Sequence, residues 1–423
     1  MLGRIRIQNY RGIRDSEVSF DKGINLIVGE NGTGKSSILS AISVLLGAAA
    51  PEMNELEMLF ISENDVHHDV KKIGDAVYSI KRDYPVLLSG SLSFDGIECE
   101  IQRRIDLAER GLTKYENKPT KSGECLKQKS DSGELLPLFI YQRFDREWKI
   151  PKNDNNEITI RTGLIKREDG YKFCLRGSDN EKDIYQWCLK MAMMQFERNE
   201  EIKEFVTFHD VVSHFLCRME KRDSLSVRYS TEIGSLMFED GNKNIPISEL
   251  STGYKALIHM VIEMAYRAVV LNPMINSDMS GLEGVVLIDE IDAHLHPRWQ
   301  WRVLTSLKET FPDVQFIVAT HSPIVISSAK NARIISMDDD GKAEYLQEAY
   351  GYAINDVLSL RQHSGYIPDI AAGYYEKLEK SINEGNKEGC RLVLSEAERE
   401  FGVESGFYDE LKRYYELNRI LEG

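Results

Sequence analysis

Between Gly29 and Ser37 the chain reads GENGTGKSS, a run dense in glycines and hydroxyls around one lysine. Its first eight residues fit GxxxxGK[ST] in full, between an apolar run and a helical pattern. Glycines at this spacing let the backbone curl until its N–H groups face a pyrophosphate, and the helix that follows adds its positive end. Lys35 then reaches the β- and γ-phosphates of a nucleotide, and Ser36 offers a hydroxyl to Mg2+. Far along the chain, VVLIDEID (Val285–Asp292) is an apolar run that ends in acids, as a buried strand does where it meets a catalytic edge. Asp289 suits the metal shell, and Glu290 beside it suits a base that polarises water for attack on the γ-phosphate. QFIVATHSP places His321 at the end of the following strand, in reach of the same phosphates. These residue types point to metal-assisted hydrolysis at the γ-phosphate of a nucleotide.

A fourth stretch, ELSTGYKALIHM (residues 249–260), opens a helix with small residues. Ser251 is placed as an N-cap, whereas Gly253 weakens the helix by about 1 kcal/mol relative to alanine. These small residues are either an N-cap with a tolerated glycine or a surface that something must approach closely. On the second reading, a bulky residue at 253 would spare the fold and block the approach.

Elements that could carry these residues are legible around them. Arg4–Ile7 and Ile24–Val28 read as strands, and a helix is expected over about Ser36–Leu46. Residues 135–141, 285–288, 314–319 and 332–337 are apolar strand candidates, separated by helical patterns from 249 to about 271 and from Pro297 through Phe311. Continuous apolar strands alternating with helices imply an α/β fold, a central, mostly parallel sheet flanked by helices. Shorter strands at 77–80, 87–94, 97–101, 225–238 and 245–247 add an antiparallel β portion, and 181–222 reads as an inserted helical region. The polar stretch 106–133 reads as a mobile loop. The last 75 or so residues are helical, acidic and aromatic.

Composition narrows the class. Over 423 residues the formal net charge is −15, which argues against a protein that coats nucleic acid through its overall field, although a local basic groove is compatible with nucleic acid. No uncharged apolar run is long enough for a transmembrane helix, and no apolar signal core opens the chain, so a cytoplasmic protein without membrane contact is expected. The six cysteines form no CxxC pair and read as thiols in a reducing compartment. His294 and His296 resemble a metal pair, but Pro297 starts a helix directly after them; His67-His68 and Asp338-Asp339-Asp340 read as solvated loop and turn. Sustained heptads are absent, so a long coiled-coil arm does not fit.

Together, GENGTGKS, LSTGY, VVLIDEIDAHLHP and ATHSP resemble the ABC-type ATPases of the structural-maintenance, RecF and recombination-repair group. NYRG, DEIDAHLHPRWQ and FIVATHSP look most like the prokaryotic ATPases of that group found in anti-phage defence, including the ATPase subunit of Septu. The matching segments cover roughly 1–47 and 246–338. The resemblance implies an ABC-type domain over 1–348, with an insertion at about 50–245. The C-terminal helical element over 349–423 carries Tyr374, Tyr375, Leu378, Ile382, Tyr408, Tyr414, Tyr415 and Leu417, which suit either a partner interface or a cap on the ATPase core. ATP and Mg2+ are the implied cofactors. Carried over by motif, Gly29, Asn31, Gly32, Thr33, Gly34, Lys35 and Ser36 form the phosphate loop, and Ser37 contacts the α-phosphate. Asp289 and Ser36 hold the metal, Glu290 is the base, Asp292 is the D-loop acid and His321 senses the γ-phosphate. Arg11 takes the place of a nucleotide-contacting arginine, Gln142 that of a metal-binding glutamine, and Ser251 and Gly253 belong to the signature. The signature reads LSTGY where many relatives have LSGGQ or LSEGE, and YQRFDREW around Gln142 departs from the usual pattern.

The implied function is an ATPase that dimerises over two ATP, or assembles further, and regulates a separate effector such as an HNH nuclease. A RecF-type DNA-loading ATPase is the alternative. A nuclease of the overcoming-lysogenisation-defect type is disfavoured, since the stretch after His321 is too short and too helical for a Toprim domain.

Overall fold

All five residues of Ile24–Val28 (β3) are buried, as are all those of Leu138–Gln142 (β9), Gly284–Ile288 (β13) and Val314–Ala319 (β14). Strands this apolar on both faces need cover on both, and in the computed structural model they are four adjacent strands of a six-stranded sheet. With Ala332–Met337 (β15) and Ala343–Leu346 (β16), the order is β16-β15-β3-β14-β13-β9, parallel except for β16. The structure describes residues 1–30, 32–49, 59–73, 77–94, 96–107, 113–117, 121–143, 164–177, 181–241, 243–338, 341–351, 357, 369–384, 386–402 and 406–421.

A second sheet is antiparallel, in the order β2-β1-β6-β7-β8. Its strands are Leu2–Tyr10 (β1), Ile13–Ser19 (β2), Val86–Phe94 (β6), Ile97–Leu107 (β7) and Thr113–Asn117 (β8). Helix Lys35–Leu46 (α1) packs against strands of both sheets, burying Ile38, Leu39, Ile42, Leu45 and Leu46. A small hairpin, His68–Lys72 (β4) with Tyr78–Arg82 (β5), follows α1 in the chain.

Residues 106–133, expected as a loop, instead contain the end of β7, β8 and helix Lys121–Ser132 (α2). The helix is anchored by Leu126, which is fully buried, and its remaining side chains are mostly polar, so composition alone reads as loop. Strand β2 is not evident from the sequence pattern either. Polar Ser16 occupies one of its buried positions and breaks the alternation.

Helices Glu181–Arg198 (α3) and Lys203–Glu220 (α4) form the expected helical insertion. They precede a three-stranded antiparallel sheet of Leu225–Ser230 (β10), Ser235–Asp240 (β11) and Lys243–Pro246 (β12). Helix Thr252–Leu271 (α5) packs on α4 and β9. The helix expected from Pro297 through Phe311 is broken into Pro297–Gln300 (α6) and Val303–Thr310 (α7). Trp299 donates to Glu220 at 2.9 Å and Arg302 to the Met219 carbonyl at 2.9 Å, tying the break to the end of α4. Pro323–Ser328 (α8) links β14 to β15.

The histidine of α4 gives a stability prediction. His209 Nε2 accepts the Tyr229 N–H at 3.3 Å, and burial, helped by the Arg228 charge, pushes its pKa down to about 4. Because the folded value lies below the usual 6.5, the stabilising contribution is complete above pH 6.5 and is lost as pH falls toward 4. Urea denaturation is expected to show about 1–2 kcal/mol less stability from this group at pH 5 than at pH 7, a difference that His209→Gln removes.

The chain divides into two compact units, residues 1–362 and 363–423. The second holds helices Asp369–Asn383 (α9), Lys387–Phe401 (α10) and Gly406–Leu421 (α11). Leu378, Cys390, Val393, Ala397 and Leu411 form its core with Tyr374. Phe401 and Phe407 stack edgewise at 4.7 Å, and Tyr375, Tyr408, Tyr414 and Tyr415 line the same cluster. The tail aromatics therefore build a core of their own. Among the described residues, no helix is long and apolar enough to cross a membrane.

Candidate functional site

The C-terminal ends of β3, β13, β14 and β9 lie side by side, with Ile288 in register with both Val318 and Gln142. An open parallel sheet places ligands at this edge. The loop leaving β3 turns through Gly29, Gly32 and Gly34, at φ 148°, 95° and 93°, conformations that side chains resist. A Cβ on Gly29 would stand 2.9 Å from Thr33 Oγ1 and 3.0 Å from the Met337 carbonyl, so the loop is also closely packed. Thr33 Oγ1 donates to the Glu30 carbonyl at 3.0 Å, and Gly34 caps α1. Asn31 lies outside the described residues.

Lys35 is buried, and its ammonium donates to the carbonyls of Gly29 at 2.9 Å and Glu30 at 2.6 Å. Burial pulls its pKa below the ordinary lysine value, against the opposing pull of Asp289, Glu290, Asp292 and Glu30. Ser36 Oγ donates to Asp289 Oδ1 at 3.1 Å, joining the loop to the acid run across 253 positions of sequence. Ser37 is half-buried one residue further along α1.

Asp289 is buried, and its N–H donates to the Gln142 carbonyl at 2.8 Å. Glu290 follows with φ 46°, a left-handed conformation rare outside glycine, and His294 adopts φ 63°. The turn between them is pinned: Ala293 N–H donates to the Glu290 carbonyl at 2.9 Å, and Ile291 N–H to that of Ala319 at 3.3 Å. Asp292 accepts from the Thr320 hydroxyl and lies 3.6 Å from His321 Nε2. Glu290, Asp292 and His321 are therefore gathered at the edge that carries Lys35 and Ser36.

Thr320 is not among the residues expected from sequence, and neither is Gln300, whose side-chain oxygen accepts from Ser322 Oγ at 2.7 Å. The position of the threonine, directly before His321, is the available signal for the first. The second pairing joins different helices and leaves no local trace.

Other expected residues have separate side-chain surroundings, although the Gln142 carbonyl holds the Asp289 N–H. Arg11, in the turn between β1 and β2, stacks over Tyr10 and donates from Nε to Asp65 Oδ1 at 2.8 Å. Gln142 ends β9, but its side-chain amide donates to Glu263 on α5. Ser251 has the extended backbone of an N-cap, and its carbonyl accepts from Lys255 N–H at 2.9 Å, whereas its exposed hydroxyl makes no capping bond.

Gly253 departs from the expectation most. A Cβ there would come within 2.1 Å of the His294 carbonyl oxygen. The glycine is required by the close packing of α5 on the turn after Asp292, so a bulky residue cannot spare the fold. Phe238, Tyr254 and Trp299 reinforce this contact, with ring centroids 5.3 Å and 4.8 Å apart in succession. His296 Nδ1 accepts the Arg298 N–H at 3.2 Å and so caps α6.

The donor set fits Mg2+. Ser36 and Asp289 offer hard oxygen ligands, and Mg2+ ordinarily takes one or two protein ligands with phosphate oxygens and water. No group of three or more His, Cys, Asp and Glu among the described residues could hold a metal by itself.

Residues 1–344 match the family described as the RecF/RecN/SMC N terminal domain. The chain is 24% identical to the retron Vc95 probable ATPase of Vibrio cholerae serotype O1 biovar El Tor, over 92% of this chain and 85% of that one. It is also 24% identical to the Septu protein PtuA of Bacillus thuringiensis, covering 92% of this chain and 91% of that one. Among solved structures, an SMC head bound to the C-terminal winged-helix domain of ScpA aligns with a TM-score of 0.46 at 18% identity, covering 82% of this chain and 97% of that one.

Proposed function

Because the chain belongs to the RecF/RecN/SMC N terminal domain family, we propose that it binds and hydrolyses ATP with Mg2+ and controls a separate effector in anti-phage defence. The observation that carries the reading is the Ser36–Asp289 contact, which unites the phosphate loop with the acid run at the edge of the parallel sheet. Lys35 and the backbone of the Gly29–Gly34 loop hold the phosphates. Bound Mg2+ would neutralise phosphate charge and orient the triphosphate, with Ser36 and Asp289 as its protein ligands. Glu290 takes the proton of the attacking water, and His321, braced by Asp292, faces the γ-phosphate.

One chain carries one phosphate loop and one signature, so a homodimer that closes over two ATP completes each site. A cleft of about 660 Å3 beside Ser251, Gly253 and Trp299 supports an approach to the signature from outside. Likeness to the Septu protein and the retron ATPase supports the defence role; the effector in this reading is a nuclease. Lys35→Ala is expected to weaken ATP binding at least tenfold, the loss of a charge-assisted phosphate contact. Equilibrium binding of a fluorescent ATP analogue measures this, and unchanged affinity overturns the reading.

A further inference from the structure

Two charges four residues apart, Glu263 and Arg267, are buried in the middle of α5. Arg267 donates to Glu263 Oε1 from Nε at 3.0 Å and from Nη2 at 2.7 Å. Its Nη1 donates to the carbonyls of Gly170 at 2.7 Å and Lys172 at 2.9 Å. The other carboxylate oxygen, Oε2, accepts from the Gln142 amide nitrogen. Gln142 is buried as well, and its backbone carbonyl accepts from the N–H of Asp289. A polar chain runs without a break from Asp289 through Gln142 and Glu263 to Arg267. Burying an ion pair carries a desolvation penalty that its attraction often fails to offset, so stability alone is a weak reason for this one.

The chemistry of the amide supplies a better reason. A glutamine side chain can lie either way round, and its partner decides which. A carboxylate held by a guanidinium offers only acceptors, so the Gln142 nitrogen must face Glu263. The Gln142 Oε1, the one atom of that side chain able to ligate a hard cation, is thereby turned away from Glu263.

We propose that Glu263 is a positioning residue of the Mg2+–nucleotide site, fixing the Gln142 amide so that its oxygen is presented as a metal ligand. Outer carboxylates commonly orient inner ligands in this way. The inference rests on the ATP-binding reading above and on Gln142 serving the metal. It also gives α5, the helix that opens at the signature, a direct polar link to the metal edge.

The test is a Mg2+ titration of fluorescent ATP-analogue binding to the full chain. In Glu263→Gln, Arg267 claims the new amide oxygen, and the new NH2 turns the Gln142 oxygen inward. Half-saturating Mg2+ is expected to rise about tenfold or more, while analogue binding in EDTA is unchanged. Gln142→Ala should raise it similarly, and combining the two substitutions should add nothing further. Glu263→Leu with Arg267→Met removes both charges and keeps the helix packed, so the same Mg2+ shift is expected if the lone arginine in another variant prevents folding. Effects that multiply in the combined variant, or a Glu263→Gln shift equal in EDTA and in Mg2+, overturn the proposal. A wild-type chain that binds the analogue with no Mg2+ dependence overturns the role of Gln142 together with it. A chain that binds no analogue refutes the ATP site itself.

Discussion

Glu290→Gln is expected to lower ATP hydrolysis by about 10²–10⁴-fold, the usual worth of a positioned general base, while leaving ATP binding intact. Glutamine keeps the length and the hydrogen-bonding reach of glutamate, but it cannot accept a proton from water. The backbone matters too. Glu290 sits at φ 46° immediately after buried Asp289, in a turn fixed by the Ala293 and Ile291 N–H groups. A β-branched replacement would strain that turn and move Asp289 with it, whereas glutamine leaves the backbone as it is. The expected phenotype is therefore specific: phosphate release is lost, analogue affinity is kept, and the ATP-bound form persists. If two copies close over two nucleotides, this variant with Mg-ATP should elute as a dimer in size-exclusion chromatography, and Lys35→Ala should not. Hydrolysis within about threefold of wild type would remove Glu290 as the base, since a general base is worth at least about 10²-fold.

How legible this site is in the sequence depends on how its parts are coded. The parallel strands carry their burial in their own residues, so INLIV, VVLI and VQFIVA read correctly from apolar continuity. The glycine loop and the acid run are likewise local, and their meeting at 3.1 Å follows from strands β3 and β13 lying one strand apart in the sheet. Pairings across long sequence separations leave no such trace. The Gln142 amide finds Glu263 121 residues away, through a helix-to-strand contact that no periodicity encodes. Even so, a glutamate and an arginine spaced i, i+4 on the buried face of an apolar helix are a visible anomaly. Residues 106–133 mislead for the opposite reason. Their polar composition reads as solvent exposure, yet α2 is docked by buried Leu126 and by Ser130, which bonds Glu168 and Arg167. Arg11 reads from its motif as a nucleotide contact; it lies over its own chain neighbour Tyr10, but its ion-pair partner Asp65 is 54 residues away.

Gly253→Ala is expected to cost about 2–4 kcal/mol of stability in urea denaturation, in the range of overpacking and backbone displacement. The methyl carbon would lie 2.1 Å from the His294 carbonyl oxygen, far inside contact distance, and the obstacle is main chain that has no rotamer to escape into. Either α5 moves outward, stretching the Phe238–Tyr254–Trp299 stack, or the turn through Asp292 and His294 is pushed toward the phosphate edge. The second response displaces Asp292 from Thr320 and His321, so hydrolysis should fall together with stability. Ser251→Ala separates the two effects. Its hydroxyl is exposed and caps nothing within the chain, so removing it should leave stability within about 0.5 kcal/mol, as for an ordinary surface position. A role in contacting nucleotide held by a second copy would nevertheless make Ser251→Ala lose hydrolysis at saturating ATP. A stable Gly253→Ala chain would mean that the turn yields freely and that the glycine is kept for a ligand. Unchanged hydrolysis in Ser251→Ala would mean that the signature hydroxyl touches no phosphate. The two expected results together give the small residues of LSTGY separate roles, the glycine in packing within one chain and the serine in meeting what approaches from another.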